Sequence, residues 1–396
     1  MSQKRVFFLT GSRLAVYQGR RNPVETQVFQ DSPAGLQAFA GYLDREPWAP
    51  VCLLLDLVEE EFRTESIPHV FGPDRRALVA NRQRRLFQHT PYRYAVFQDQ
   101  ETSGRRDDNV LFAAVPRPDI LRRWLHPITQ RKIPLIGIYS LPILSRKLLR
   151  GIQAASPESV SDYALLVHCN ADGGLRQSFF LRRHLKVSRL AVLPGSVAEA
   201  GGLDDAGCLS ADILGEVGKT HHYLNGLRLL PVNHPLDVCF LSGAPTLASL
   251  AQQVTDTSNI RYHFIDIAKV GAAIGLSDKR TRDKHRTPHA DPLFVRTLVR
   301  TVPANHYATP KDVRYFRFLQ MRMAMYVIGV VLLSAGIGWG ALQFSDALIT
   351  RQKTVALKEE SHIYEDRYAR ARRANLPDTP VDAPSLKAAV EMATIL

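Results

Sequence analysis

"FFLTGSRLAVYQ", residues 7–18, reads as two short strands joined by the tight turn Thr10-Gly11-Ser12. Both flanking runs are rich in apolar residues that favour strands, and a glycine between two hydroxyl residues is typical of a turn. The N–H groups of such a turn can hold an anion. The stretch therefore raises the question of whether this chain contains a working nucleotide site or only the fold that surrounds one.

The composition indicates a basic globular chain with room for two or three domains. The chain has 396 residues, of which 45% are hydrophobic and 22% charged, with a net charge of +13 and a sequence pI near 9.7. Excess positive charge favours an anionic neighbour, which means nucleic acid, a membrane surface or an acidic partner. None of the four cysteines forms a CxxC pair, so we expect a reducing compartment rather than disulfides or zinc. The N-terminus has no apolar signal core, so we expect no cleaved export signal.

One apolar segment predicts a membrane span. "MAMYVIGVVLLSAGIGWGALQF", residues 323–344, contains no charged residue. As a helix that rises about 1.5 Å per residue it extends roughly 33 Å, enough to cross the hydrocarbon core of a bilayer. Tyr326 and Trp339 lie toward its two ends, where interfacial aromatic residues are expected. We predict a transmembrane helix over residues 321–345, with a buried core helix as the alternative.

Charges on either side of this span predict its orientation. Lys311, Arg314, Arg317 and Arg322 precede the uncharged segment 323–344, whereas the basic residues that follow it are more distant and mixed with acidic ones. The denser basic flank of a span normally stays in the cytoplasm. The N-terminal head is therefore expected inside the cell and the C-terminal tail outside.

The head alternates strand-like and helical runs, which favours a mixed α/β fold. Apolar runs typical of buried strands occur at residues 51–58, 109–115 and 134–140, with helical patterns between them. The same order of elements, a β-meander followed by α/β units, then repeats. We expect two lobes, residues 1–155 and 156–320.

The order of these motifs resembles the actin-like family of pilus-biogenesis and type II secretion proteins, the PilM and GspL group. The resemblance spans roughly residues 4–320. Besides the opening stretch it rests on "VLFAAVPRPDILRRWLHPITQRKIPLIGIYSLPIL" (110–144), "ALLVHCNADGGLRQSFF" (164–180) and "VCFLSGAPTLASL" (238–250). It implies an α/β, actin-like (RNase H-like) two-lobed head, followed by one transmembrane helix and a short helical stalk.

The resemblance also implies a place and a role. Proteins of this group are docking platforms of the bacterial inner membrane, so the head would be cytoplasmic and residues 346–396 a periplasmic stalk with the start of a further helix. The implied partners are other inner-membrane platform proteins of a pilus or secretion machine and its cytoplasmic assembly ATPase. The tail of this family normally leads to a ferredoxin-like domain. The helix "SLKAAVEMATIL" (385–396) is too short to bury a core alone, so either it docks onto a partner or that domain is missing from this chain.

The expected nucleotide cleft departs from the pattern of ATP-binding relatives. Those relatives carry an acid two residues before the first glycine and an aspartate that opens the second meander, whereas Leu9 and His168 stand there in this chain. Without carboxylates to hold Mg²⁺ and orient water, hydrolysis is not expected. We therefore predict no catalytic residue, no metal and no cofactor. The residues expected to line a vestigial cleft are Thr10, Gly11, Ser12, Asp172, Gly173, Gly174, Ser242 and Gly243. Asp172-Gly173 reads either as a displaced phosphate loop or, as we prefer, as a hairpin turn.

Three other stretches suggest chemistry and have plainer interpretations. "GEVGKT" (215–220) resembles the end of a P-loop, but Ile213 stands where a glycine is required, so a surface helix turn is expected. His221 and His222 match no compact metal-ligand spacing. The acids of "DLVEEEF" (56–62) suggest a catalytic dyad or, as we prefer, an exposed acidic loop that meets a basic partner.

The basic stretch "DKRTRDKHR" (278–286) lies in a predicted insert at residues 276–290. Attraction to anionic lipid near the membrane is the favoured interpretation. Nucleic acid is the rival, but the run lacks interleaved aromatic residues, so no nucleic-acid partner is expected.

Self-association is predicted from the span and the stalk. Gly336 and Gly340 have the GxxxG spacing that lets two helices approach closely in lipid. Beyond the span, Ile349, Ala356 and Ile363 recur every seven residues, which indicates a weak coiled-coil seam. We expect a homodimer or heterodimer.

Three function classes follow from the sequence. The favoured one is a non-enzymatic inner-membrane assembly platform of a type IV pilus or type II secretion machine. The second is an ATP-binding actin-like ATPase of the same machine. The third is a single-pass signalling receptor, for which the tail makes a poor sensing domain.

Overall fold

The computed structural model of the chain describes residues 4–19, 22–45, 49–101, 106–157, 161–193, 206–231, 234–276, 289–375 and 383–393. It separates into a head, Met1–Gln320, and a second unit, Met321–Leu396. Most of the predicted basic insert at 276–290 lies outside the described residues.

The first sheet of the head joins an antiparallel meander to two parallel strands. Its strands are β1 (Arg5–Leu9), β2 (Arg13–Gln18), β3 (Val24–Gln30), β4 (Val51–Leu55) and β8 (Leu135–Ser140), in the order β3-β2-β1-β4-β8. Every residue of β1 and β4 is buried, as expected for strands covered on both faces. Helices α1 (Pro33–Arg45) and α3 (Asp119–Gln130) cover the outer face, where Phe7, Phe39 and Trp124 pack in one cluster. The helical pattern expected between the strand runs at 109–115 and 134–140 is thereby confirmed.

The second sheet repeats this topology. Its strands are β9 (Tyr163–Cys169), β10 (Gly174–Leu181), β11 (His184–Val192), β12 (Leu236–Ser242) and β13 (Ile260–Asp266), in the order β11-β10-β9-β12-β13. As in the first sheet, the three meander strands are antiparallel and the last two strands run parallel to the first. Helices α5 (Ala206–Gly226) and α6 (Ala244–Gln253) follow β11 and β12. The repeated order of elements read from the sequence is confirmed.

A shared core joins the two sheets. Helices α4 (Leu141–Ala155), α7 (Ile267–Ala273) and α8 (Asp291–Thr301) contribute to it. Phe8 and Leu148 belong to the same apolar cluster as Leu166, Cys239 and Phe294, so the cluster is built from both halves of the head.

After α8 the chain returns to the first sheet. Ser140 and Ile138 of β8 donate backbone N–H groups to the His306 ring, at 3.1 Å, and to the Asn305 side chain, at 3.0 Å. The backbone N–H of Tyr307 reaches the carbonyl of Ile138 at 3.0 Å. Residues 305–307 therefore pack on the first half of the head, while the division into lobes at residues 155 and 156 stays a prediction.

A small sheet is inserted between β4 and α3. It consists of β5 (Glu61–Ile67), β6 (Arg93–Gln100) and β7 (Asp108–Ala114), in the order β5-β7-β6, together with helix α2 (Gly72–Leu86). The core beneath it is small and contains Ile67, Phe87 and Phe112. No residue of α2 is fully buried. The sequence predicted α2 and β7 but not the sheet, because β5 and β6 are half-exposed and lack a long apolar run.

The second unit is helical. Helix α9 (Arg314–Asn375) contains a window of mean hydropathy 1.9 in which no residue is buried, and it is long and apolar enough to cross a membrane. The predicted span at 321–345 lies within α9, whose later turns run through the predicted helical stalk. Helix α10 (Ala383–Ala393) follows.

Candidate functional site: the cleft between the two sheets

The predicted cleft residues of the two halves meet at Asp172. The turn after β1 and the turn between β9 and β10 contact each other through side chains. The Asp172 carboxylate accepts hydrogen bonds from the hydroxyl groups of Thr10 and Ser12, the latter at 2.8 Å. It also forms an ion pair with the guanidinium of Arg13. Three donors that a bound anion would use are thus occupied by a carboxylate of the protein itself.

Glycine at position 173 is required by the backbone of this second turn. Asp172 and Gly173 join β9 to β10, and Gly173 adopts a φ of +76°, which a side chain would strain. The Gly174 backbone lies against Asn170, whose side chain a Cβ would approach to 2.8 Å. The hairpin interpretation of Asp172-Gly173 is confirmed, and the same hairpin delivers Asp172 to the first turn.

A buried ion pair crosses the cleft behind this contact. Asp56, immediately after β4, and Arg176 of β10 are fully buried, and Nη2 of Arg176 lies 2.6 Å from Oδ1 of Asp56. Arg176 also donates to the carbonyl of Leu57 at 2.9 Å, and Asn170 donates to the second oxygen of Asp56 at 2.8 Å. Because each charge has hydrogen-bonded partners, the pair avoids the large cost of an unpaired buried ion.

The expectation of an exposed acidic loop at residues 56–62 is wrong at its two key positions. Asp56 is buried in the ion pair, and Glu60 is only 6% exposed. Oε1 of Glu60 accepts a hydrogen bond from the Tyr307 hydroxyl at 3.0 Å. Burial raises the pKa of Glu60 to about 7, although Arg176, Ser140 and Tyr307 act in the opposite direction. Asp56 joins the two halves of the head through Arg176, whereas Glu60 is bound by Tyr307, which packs on the first sheet, so neither acid is an exposed loop residue.

Asp291 adds a third carboxyl group to the cleft. It opens helix α8 and accepts a hydrogen bond from the backbone N–H of Ala171 at 3.0 Å. Burial, followed by the charges of Asp56 and Asp172, raises the pKa of Asp291 to about 8, against the N–H of Ala171 and the charge of Arg13. The side chain is therefore protonated at neutral pH, and a neutral carboxyl group is a poor ligand for Mg²⁺.

The two positions that carry acids in ATP-binding relatives hold core side chains here. Leu9 is fully buried in the cluster under α1 and α3. The His168 ring lies 4.7 Å from the ring of Phe294, and burial lowers its pKa to about 4. An uncharged imidazole and a leucine supply no charge to a cation at these sites.

The remaining candidates lie within regular elements or at their ends. Ser242 ends β12, and Gly243 precedes α6 with an extended backbone. Residues 215–220 lie within α5, where Lys219 pairs with Glu216 at 2.7 Å, so the surface helix turn is confirmed. Within the described ranges, no group of three or more potential metal ligands lies close together.

Sequence reasoning missed four residues of the cleft: Arg13, Asn170, Arg176 and Asp291. One signal was available for Arg176, since a charged residue in the run "LRQSFFL" must find a partner if that strand is buried on both faces. The sequence alone does not show which acid that partner is.

No protein-family model matches the sequence, and no curated protein matches it either. Among solved structures, the PilM–PilN type IV pilus biogenesis complex matches with a TM-score of 0.51 and 15% identity, over 75% of this chain and 98% of that chain. A Bacteroides thetaiotaomicron protein with an actin-like ATPase fold and unknown function matches with a TM-score of 0.37 and 8% identity, over 70% and 96% of the two chains. The cytoplasmic domain of EpsL, an inner-membrane component of the Vibrio cholerae type II secretion system, matches with a TM-score of 0.36 and 12% identity, again over 70% and 96%. At such identities the likeness shows the fold, and the head of this chain has the actin-like fold of the PilM structure.

Proposed function

We propose that this chain is a non-enzymatic assembly platform of the bacterial inner membrane, serving a type IV pilus or a type II secretion machine. The single observation that carries the proposal is the set of bonds across the cleft. Asp172 holds Thr10, Ser12 and Arg13, while Asp56 holds Arg176. A nucleotide-binding relative would need free hydrogen-bond donors in this turn to hold phosphate. In this head the corresponding donors bind Asp172 and so join the two halves.

The chemistry of the cleft supports a structural role over ATP turnover. Phosphoryl transfer depends on positioned cations that neutralise phosphate charge and on a group that orients water. Leu9 and His168 supply no carboxylate, and Asp291 is protonated at neutral pH. The two halves then act as one rigid body that offers docking surfaces.

The architecture suggests how such a platform would be placed. The head would lie in the cytoplasm, helix α9 would cross the membrane once, and its later turns with α10 would reach the periplasm. The PilM structure with the same fold is a complex with PilN in type IV pilus biogenesis. By analogy we propose inner-membrane platform proteins and a cytoplasmic assembly ATPase as partners. We further propose anionic lipid near the membrane end of the head, and a dimer formed through α9.

Calorimetry tests the structural role of the cleft. The full chain in detergent is titrated with Mg-ATP, and a thermal unfolding trace of the same sample shows that the head is folded. We expect no binding isotherm. A dissociation constant of about 10 μM or tighter, equivalent to about −7 kcal/mol, would overturn the proposal and favour an ATP-dependent role.

Isolation of the tagged full chain from its native membranes tests the platform role. Inner-membrane platform proteins and the assembly ATPase are expected to be recovered with it in stoichiometric amounts. Recovery of the chain alone, under detergent conditions that keep other membrane complexes intact, would contradict the proposal.

A further inference from the structure

A cavity of about 170 Å³ lies where the small inserted sheet meets the rest of the head. Its wall is formed by β6 and β7 of that sheet, together with α4, β11 and the segment at residues 303–306. Gln98 of β6 joins two of these elements, since it donates to the carbonyl of Leu185 at 2.7 Å and accepts from Nζ of Lys186 at 3.0 Å. The cavity is therefore bordered by both halves of the head, and none of the cleft residues described above lines it.

Most of the cavity wall is apolar. The apolar side chains that line it are Val96, Leu111, Ile143, Leu144, Leu185 and Pro303. A protein cavity of about 150 Å³ with such a lining can hold one benzene molecule. The volume of this cavity therefore suits an apolar body of about the size of a six-membered ring.

A buried hydrogen-bond donor in the cavity has no partner. His306 lines the cavity and is 6% exposed, and its ring lies against those of Tyr94 and Tyr139, with centroids 4.8 and 5.6 Å away. Its Nδ1 accepts the backbone N–H of Ser140 at 3.1 Å. Burial, together with the charge of Lys147, lowers the pKa of His306 to about 3. The neutral ring therefore carries its proton on Nε2, for which no described residue supplies an acceptor.

Further donors line the same cavity. The Tyr94 hydroxyl has no hydrogen-bond partner among the described residues, and burial raises its pKa against the charge of Arg146, so it keeps its proton. Arg146 and Lys147 lie on the face of α4 that lines the cavity, and neither forms an ion pair with a described residue. No Asp or Glu of the described chain is part of the lining. The polar side of the cavity thus consists of donors, two of them cationic, without a carboxylate to balance them.

We propose that this cavity binds a small amphipathic anion, namely an organic carboxylate whose apolar body is about the size of a six-membered ring. The Nε2–H of His306 and the hydroxyl of Tyr94 would donate to the carboxylate oxygens, while Arg146 and Lys147 would neutralise the charge. The apolar body would pack on the leucine and isoleucine side chains of the wall. A neutral molecule of the same shape gains less from the two cations, and a cationic molecule is repelled by them.

A ligand in this cavity would contact both halves of the head at once. Because it binds the assembled head and not the unfolded chain, it would stabilise that assembly by mass action. The inference goes beyond the platform role, to which it adds an input from a small molecule, and it does not depend on that role.

Fluorine NMR of the full chain in detergent tests the site. The probe is 4-fluorobenzoate, and its neutral twin 4-fluorobenzyl alcohol is the matched control, with empty micelles as the baseline for partition into detergent. We expect saturable binding of the acid with a dissociation constant of about 1 mM or tighter, and at least about tenfold weaker binding of the alcohol.

Variants locate the binding in this cavity. Val96→Phe fills it and should abolish saturable binding, whereas Val28→Phe, at an exposed position of β3, should leave the affinity unchanged. Tyr94→Phe and Lys147→Met each remove a donor and should weaken binding about tenfold. Arg150→Met takes the same charge from an exposed site on α4 outside the lining and should have no effect. A thermal unfolding trace shows that each variant is folded.

Several outcomes would overturn the inference. Absence of saturable binding, equal affinity for the acid and the alcohol, or binding that survives Val96→Phe would each remove the site. Unchanged affinity in Tyr94→Phe and Lys147→Met would do the same. Binding of phenyl phosphate more than about tenfold tighter than that of the carboxylate would assign the cavity to phosphate esters instead. None of these results depends on recovery of pilus or secretion partners, so the platform role is tested separately.

Discussion

Asp172 shows how one side chain can change the use of a cleft. Its carboxylate occupies donors on Thr10, Ser12 and Arg13 that suit a phosphate group equally well. The contact joins residues that are distant in the sequence, since Ser12 and Asp172 are 160 positions apart. An internal anion of this kind stabilises the closed arrangement and leaves the turn with fewer groups to offer a ligand.

Removal of this carboxylate should destabilise the head. We expect Asp172→Ala to lower the free energy of unfolding by about 1–3 kcal/mol, because the Arg13 charge and two hydroxyl groups lose their acceptor. Asp172→Asn keeps one acceptor oxygen and should cost less. Urea denaturation of the full chain in detergent gives the comparison, and equal midpoints for all three proteins would rule out a bracing role for Asp172.

Asp291 should make the stability of the head depend on pH. Its pKa is raised from 3.8 to about 8 by burial, so the folded state keeps a proton that the unfolded state releases above pH of about 4. The contribution of Asp291 to the free energy of unfolding is therefore greatest below about pH 4 and is lost progressively as the pH rises to about 8.

The variant Asp291→Asn isolates this effect. It imitates the protonated acid and cannot ionise, so its unfolding free energy should improve relative to the wild type between about pH 5 and pH 8. Glu60 and His168 titrate in both proteins and cancel in the difference. Denaturation midpoints across this range provide the measurement, and parallel pH curves would show that Asp291 is ionised in the folded protein.

At the scale of elements, α9 combines an apolar and a polar segment in one continuous helix. Its apolar part is the candidate membrane span, and its polar part extends to Asn375. Gly336 and Gly340 have nothing within 4 Å of the position a Cβ would take. A larger side chain there therefore disturbs no contact within the chain itself, so its effect reports on neighbours in the membrane.

Bulky residues at these glycines should weaken the predicted dimer. We expect Gly336→Ile with Gly340→Ile to reduce crosslinking between spans in membranes, because two helices can no longer approach closely. Gly338→Ile is the matched control, since two residues along a helix turn the side chain to the other face. The same crosslinking yield in the double variant and in the wild type would show that the dimer, if formed, uses another face.

At the scale of the whole molecule, the proposed role requires the head on the cytoplasmic side. We expect trypsin added to spheroplasts to cleave the tail after basic residues such as Arg351 and Lys353 and to leave the head intact. In permeabilised cells the head should be cleaved as well, which is the control for its susceptibility. Digestion of the head in intact spheroplasts would reverse the orientation and exclude a cytoplasmic platform.

Much of the fold was readable from local patterns. The apolar runs of β1 and β4, the helical period of α3 and the uncharged span of α9 each contain their signal within a few turns of chain. Backbone geometry and hydrophobic burial act over such short stretches, so the sequence predicts these elements without knowledge of their neighbours. The order of elements predicted a mixed α/β head with two lobes, and the resemblance carried by the quoted motifs predicted its actin-like fold.

Only the tertiary structure shows which charged side chains of the cleft are paired with one another. Arg176 binds Asp56 across 120 residues of sequence, and Ala171 reaches Asp291 across another 120. The acidic run at residues 56–62 predicts an exposed loop for Asp56, because such runs are normally solvated. Only the packing of two sheets around one core shows which charges are buried together. A side chain's partner is a long-range property, set when non-adjacent strands and helices meet, and no local pattern of residues 56–62 encodes it.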